Sequence, residues 1–157
     1  MTYADDFNLR NKSVVKMNDV ANAVDGLLAT YGSASSTSSV SLTSGTYTDY
    51  TGLSVAVSMN DGEMAIVTAV ISASVATAND QISIRITANG TAQATEQAAC
   101  PNLSSTAGNN VIMVCTTINV PSAGTNTYKL QWLNSTSGAR TIYSVRGRLD
   151  VLVVQNT

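Results

Sequence analysis

Apolar residues in this chain recur at every second position, and that period constrains the fold more than any other feature. In the run Thr127–Leu133, Tyr128, Leu130 and Trp132 share one face while Thr127, Lys129 and Gln131 share the other. In Arg148–Val154, Leu149, Val151 and Val153 alternate with Arg148 and Asp150, until Leu152 and Val154 make the second face apolar too. Period two sends successive side chains to opposite faces of a strand, so these are strands with one face in a core. Leu53, Val55, Val57 and Met59 repeat the pattern against Ser54, Ala56 and Ser58, as do Ile82, Ile84 and Ile86 against Ser83, Arg85 and Thr87. Turn chemistry divides the runs at Asn60-Asp61-Gly62, at Asn89-Gly90 and from Asn134 to Arg140. The pattern predicts about eight strands at roughly ten-residue spacing, the layout of an all-β antiparallel sandwich.

Two runs depart from simple alternation. Met64–Val75 carries Met64, Ile66 and Val70 on one face and Ala65, Val67, Ala69 and Ile71 on the other, and Val111–Val120 is likewise apolar on both faces. Burial on both sides needs a second layer, and a chain of 157 residues has little left to provide it. A neighbouring subunit is the expected cover. The residues expected at that interface are Met64, Ile66, Val67, Ile71, Val114, Leu152 and Val154.

The N-terminal quarter has a different period. Residues 1–12 are polar and aperiodic, an extended arm by composition. From Ser13 onward, Met17, Val20, Val24, Leu27 and Tyr31 are spaced three and four apart, which predicts an amphipathic helix. Ser13 is placed to cap it and Gly32 to end it. Gly32 to Ser39 has the composition of a flexible linker. The expected organisation is an anchor over residues 1–38 and a head over residues 39–157. Isolated helices of this length are marginal in water, so this one either lies across its own sandwich or bundles around a symmetry axis.

Composition excludes several classes of function. Charged residues make up 11% of the chain and the net charge is −2, which gives little grip on phosphate and argues against a nucleic-acid partner. Histidine is absent, removing the commonest general base and the commonest metal ligand. Asp5-Asp6 and Asp61/Glu63 are the only close carboxylate pairs, and neither sits in a metal-loop pattern. Cys100 and Cys115 either form one disulfide, if their strands pair about a turn near Gly108, or remain two thiols. Arg146 and Arg148 share a strand face, as a site for an acidic group or as solvated side chains paired with Asp49 or Asp150. The first residues carry no signal-peptide pattern and no window reaches the apolar length of a membrane helix. No catalytic site, cofactor or metal is expected, and neither is a membrane partner.

The run Pro121-Ser122-Ala123-Gly124-Thr125-Asn126-Thr127-Tyr128-Lys129-Leu130-Gln131-Trp132, followed by Arg146-Gly147-Arg148-Leu149-Asp150-Val151, resembles the closing strands of small phage virion domains. Upstream, Ser44-Gly45-Thr46-Tyr47-Thr48-Asp49-Tyr50-Thr51-Gly52-Leu53 resembles their opening. Those domains are similar to the head of tumour necrosis factor and complement C1q. The resemblance spans roughly residues 39–155 and implies a jelly-roll sandwich of a trimeric virion protein, assembled in the host cytoplasm. It implies a capsid decoration or head fibre that contacts other virion proteins such as the major capsid or tail protein. The alternative is a tail-fibre or receptor-binding module whose loops at 101–110 and 134–140 hold host glycan. Tyr143, Tyr47 and Tyr50 are then the candidate sugar platforms, Trp132 and Tyr128 being on the core face.

Overall fold

A computed structural model describes residues 30–43, 45–75, 80–94, 96–103, 111–134 and 142–155. Met17, Val20, Val24 and Leu27 of the expected helix lie outside the described residues, as do most of the two loops. The described chain forms ten strands: β1 Thr30–Ser36, β2 Val40–Leu42, β3 Thr48–Met59, β4 Glu63–Val75, β5 Asp80–Ala88, β6 Thr91–Ala92, β7 Ala98–Leu103, β8 Val111–Asn119, β9 Gly124–Asn134 and β10 Ile142–Gln155. They make two five-stranded sheets, with every pairing antiparallel. One has the order β1-β10-β4-β8 with β2 also on β10, and the other β3-β9-β5-β6 with β7 also on β5.

Successive long strands change sheet: β3 and β5 lie in one, β4 in the other, and β8, β9 and β10 alternate again. This winding across the sandwich is the jelly-roll arrangement. The Asn60-Asp61-Gly62 turn therefore carries the chain from one sheet to the other and does not join a hairpin. Gly62 takes φ 80° there, and the Glu63 carboxylate accepts from the backbone and side-chain amides of Asn60. Asn89-Gly90 does join a two-residue hairpin: Ala88 faces Thr91, and both turn residues have positive φ, at 49° and 81°.

The core lies between the sheets. The inward face of β4 is small, Ala65, Val67, Ala69, Ile71 and Ala73, all fully buried. The opposite sheet supplies bulk in Trp132, Tyr128 and Tyr50, and a close-packed interior needs large set against small. Trp132 packs against Tyr50 at 4.8 Å between ring centroids.

One expectation needs correction. Thr30–Ser36, read as a helix end followed by a linker, is strand β1, paired with β10 from Thr30↔Val153 to Ser36↔Gly147. Tyr31 is thus a strand residue on the outer face. Gly32 ends no helix. A Cβ there would stand 2.6 Å from Cγ1 of Val55 and 2.9 Å from Cγ1 of Val57. Its missing side chain admits β3's valines, and a composition of small residues hides that steric reason. Of the two readings of the cysteines, the disulfide fails and the thiol stands: β7 and β8 belong to different sheets and do not pair about Gly108. Cys115 is a free, buried thiol, pushed up to about 12 mainly by burial.

Candidate functional site

Register brings apolar side chains into rows on the outer face of the β1-β10-β4-β8 sheet. Tyr31 faces Leu152, Leu152 faces Ile66, and Ile66 faces Ile118, one row across four strands. Two positions along, Ser33, Asp150, Thr68 and Thr116 form a polar row. Two further, Ser35, Arg148, Val70 and Val114 form a second partly apolar row, and Ile112 lies beyond it on β8. Val154 and Met64 pair at the other margin. Ile118 is 62% exposed and Ile112 71%, with Val114, Val120, Tyr31 and Leu152 also exposed. Directly opposed residues have Cβ atoms within about 5.5 Å, so such rows form a continuous apolar surface. Single exposed apolar residues need no explanation, whereas contiguous ones mark an interaction site.

The polar row is closed on itself. The Arg148 Nε donates to both Asp150 oxygens at 2.9 and 2.7 Å, its Nη2 donates to the Tyr31 hydroxyl at 2.7 Å, and that hydroxyl donates to Asp150. Burial alone pushes the Asp150 carboxyl up, but the hydrogen bonds from Arg148 and Tyr31 outweigh it and hold it below its ordinary range. Thr68 and Thr116 hydroxyls bond to each other at 3.2 Å. These groups satisfy one another before any partner arrives.

Seven residues were expected at an interface, and the sheet divides them. Met64, Ile66, Val114, Leu152 and Val154 face outward. Val67 and Ile71 do not: both are fully buried between the sheets. The two-faced appearance of Met64–Val75 is thus half intramolecular core and half open face. The outward face also carries Tyr31, Val70, Ile112 and Ile118, which the expectation did not include. Strand alternation could have found the last three, since Val70 shares a face with Ile66, and Ile112 and Ile118 share one with Val114.

The opposite sheet presents a different surface. Lys129 pairs with Asp49 at 2.7 Å, Gln131 donates to the same carboxylate at 2.8 Å, and Arg85 donates to Gln131 at 2.9 Å. The Arg85 guanidinium lies 3.8 Å over the Tyr47 ring, occupying that face. Tyr50, Trp132 and Tyr128 are buried, and the Tyr143 side chain lies outside the described residues. Among the described residues no group of three or more metal-ligating side chains occurs. No helix among them is long and apolar enough to cross a membrane.

The strands give the sandwich two poles. Thr30, Gln155, the 60–62 turn and the Asn89-Gly90 turn lie towards one, whereas Val75, Leu103, Val111, Asn134 and Ile142 end at the other.

Such a pair of wound antiparallel sheets defines the class as a jelly-roll sandwich, and solved structures of that kind are similar to it. A tumour necrosis factor, Eiger from S. frugiperda, matches with a TM-score of 0.50 at 10% identity, over 82% of this chain and 94% of that one. Infectious bursal virus-derived T=1 particles match with a TM-score of 0.55 at 14% identity, over 82% of this chain and 32% of theirs. The T13 particle of infectious bursal disease virus matches with 0.54 at 16% identity, over 81% and 31%. The chain thus spans about a third of the viral proteins it resembles. No protein-family model and no curated protein matches this sequence.

Proposed function

We propose that this is a non-enzymatic structural virion protein: a jelly-roll head that self-associates, as a trimer, through the outer face of the β1-β10-β4-β8 sheet. The observation that carries this reading is the in-register row Tyr31–Leu152–Ile66–Ile118, apolar and exposed, beside a polar row already satisfied internally. An apolar face of that extent with no unpaired charge at its centre suits permanent burial against another copy. The neutral surface, with 11% charged residues, suits the same end. The similar folds in viral particles and in a tumour necrosis factor support the virion and self-association parts of the reading.

Residues 1–29, with the stripe Met17, Val20, Val24 and Leu27, are the proposed anchor, holding the head to a capsid as a decoration or head fibre. The entry of the chain at the pole opposite most of the long connections favours this polarity. Of the sugar platforms the receptor-binding alternative would use, Tyr50 is buried and Tyr47 is covered by Arg85.

Native mass spectrometry tests self-association. The wild type is expected at three times the chain mass. Ile118→Lys and Val114→Lys, on an edge strand and pointing outward, are expected as folded monomers. A variant that keeps the trimer mass overturns the assignment of this face. Co-purification with isolated capsids, lost on deletion of residues 1–29, tests the anchor.

A further inference from the structure

The apolar rows of the outer face do not by themselves fix how two copies meet. Leu152, Ile66 and Ile118 make one level, and Val70 and Val114 another, four residues further along β4 and β8. All are aliphatic, so a copy that slips along the strands finds another apolar level to pack on. Same-face residues two apart on a strand are about 7 Å apart, which is the smallest such slip. A contact between copies that is not two-fold closes into a ring only where each copy meets the next at the same height. Any constant slip turns the ring into an open helix. A trimer therefore needs a feature on this face that marks the level.

The polar row between the two apolar levels has that property. Ser33, Asp150, Thr68 and Thr116 lie opposite one another across four strands. Arg148 reaches into the row from one side and Tyr31 from the other: Nε of the guanidinium donates to Asp150 at 2.7 Å, and Nη2 donates to the Tyr31 hydroxyl at 2.7 Å. The row cancels its own charge, yet Nη1 of Arg148 makes no hydrogen bond among the described residues. We propose that this row is the level mark of self-association: set polar row on polar row, it holds the copies at one height and closes the ring. This role presupposes the self-association proposed above and names the residues that decide its geometry. At equal height the spare N–H groups of Arg148 on one copy meet hydroxyl and carboxylate oxygens on the next. One level out of step, Arg148 and Asp150 are buried against Leu152 or Val70 with those groups unmet, and a buried polar group without a partner is costly. The row adds little affinity, because an ion pair taken out of water loses about what it gains. It rejects the slipped arrangements instead.

The test replaces the closed group by apolar side chains of similar size, Tyr31→Phe/Arg148→Met/Asp150→Leu, and records native mass beside the full-length wild type over a concentration series. The wild type is expected at three times the chain mass. The triple variant is expected to assemble still, but into mixed and larger masses, the ratio of trimer to other assemblies falling about tenfold or more. Its circular dichroism melt should stay cooperative, since all three side chains lie on the outer face. Thr68→Val/Thr116→Val leaves the charges in place and removes the hydroxyls at the other end of the row. It should shift the same ratio in the same direction, and it carries the test if the triple variant loses its melt. A folded variant that remains a trimer alone overturns the proposal and leaves the self-association reading standing. A folded triple variant that is monomeric also overturns it, because the row then supplies affinity and not register. A monomeric wild type removes the self-association reading, and the level mark with it.

Discussion

The Tyr50 hydroxyl donates to Oγ of Ser144 at 2.7 Å, one sheet reaching across the core to the other. Ser144 is fully buried at the point where the β10–β4 register shifts, and its own hydroxyl bonds the carbonyls of Ser72 at 2.8 Å and Arg146 at 3.1 Å. The serine thereby supplies the irregular backbone with a donor and the tyrosine with an acceptor. Ser144→Ala is expected to cost about 1–3 kcal/mol, and Tyr50→Phe, which removes one bond and leaves the bulge satisfied, about 1 kcal/mol. Urea titration of the two variants and their double checks this. The double should cost less than the sum.

Gly32 and Gly147 let β1 and β10 press against β3. A Cβ on Gly147 would stand 2.8 Å from Cδ1 of Leu53 and 3.2 Å from Cζ of Tyr50. Gly147→Ala and Gly32→Ala should each lose about 1–3 kcal/mol by overpacking. A truncation beginning at Val40 removes β1 from its seven paired positions on β10. It should fail to give a cooperative melt, whereas one beginning just before Thr30 should melt as the full chain does.

Ile71 and Ile118 separate the core from the proposed interface. Ile71→Lys buries a charge inside the sandwich and should unfold the head, since an unpaired buried charge costs several kcal/mol. Ile118→Lys, 62% exposed in the single chain, should leave the melt of the head cooperative. Circular dichroism melts of the two variants distinguish these outcomes.

Trp132→Ala should cost about 3–5 kcal/mol by opening a cavity beside Tyr50. The indole is 1% exposed, so native fluorescence should be blue-shifted and resist acrylamide, and should redden only on unfolding.

Cys115 sets an alkaline limit. In the unfolded chain its thiol ionises near 9, and in the fold burial pushes it up to about 12. Between those values the unfolded state releases a proton that the folded state keeps. Its contribution to stability is therefore present below pH 9 and lost as the pH rises towards 12. Cys115→Ala should flatten that part of the stability profile. In the native wild type this thiol should react with a maleimide only as fast as the protein opens.

Much of the sandwich was legible because alternation survives wherever one face is dry. The Tyr128–Leu130–Trp132 face and the Ile82–Ile84–Ile86 face are both buried as the period predicts. Strand β1 was not legible, because Gly32, Ala34 and Ser36 are small inward residues that look like linker composition until Val55 and Val57 are placed above them. The outward apolar face was half legible for a related reason. Period two tells which side chains share a face and leaves open which face turns inward, so Val67 and Ile71 were grouped with Ile66. The apolar rows themselves depend on the pairing Leu152↔Ile66↔Ile118, a long-range register that no local pattern contains.

Pairing of the first described strand with the last also gives the head a direction under mechanical tension. Thr30 and Val153 face each other at the same end of the β1–β10 ladder. Pulling the two ends of the chain apart would peel that ladder open one rung after another, at low force. Pulling between the N-terminal side and the opposite pole would drag β1 along β10, straining its seven opposed positions together. A head held by its first residues and tugged from its far end would resist in the second geometry, the stronger of the two.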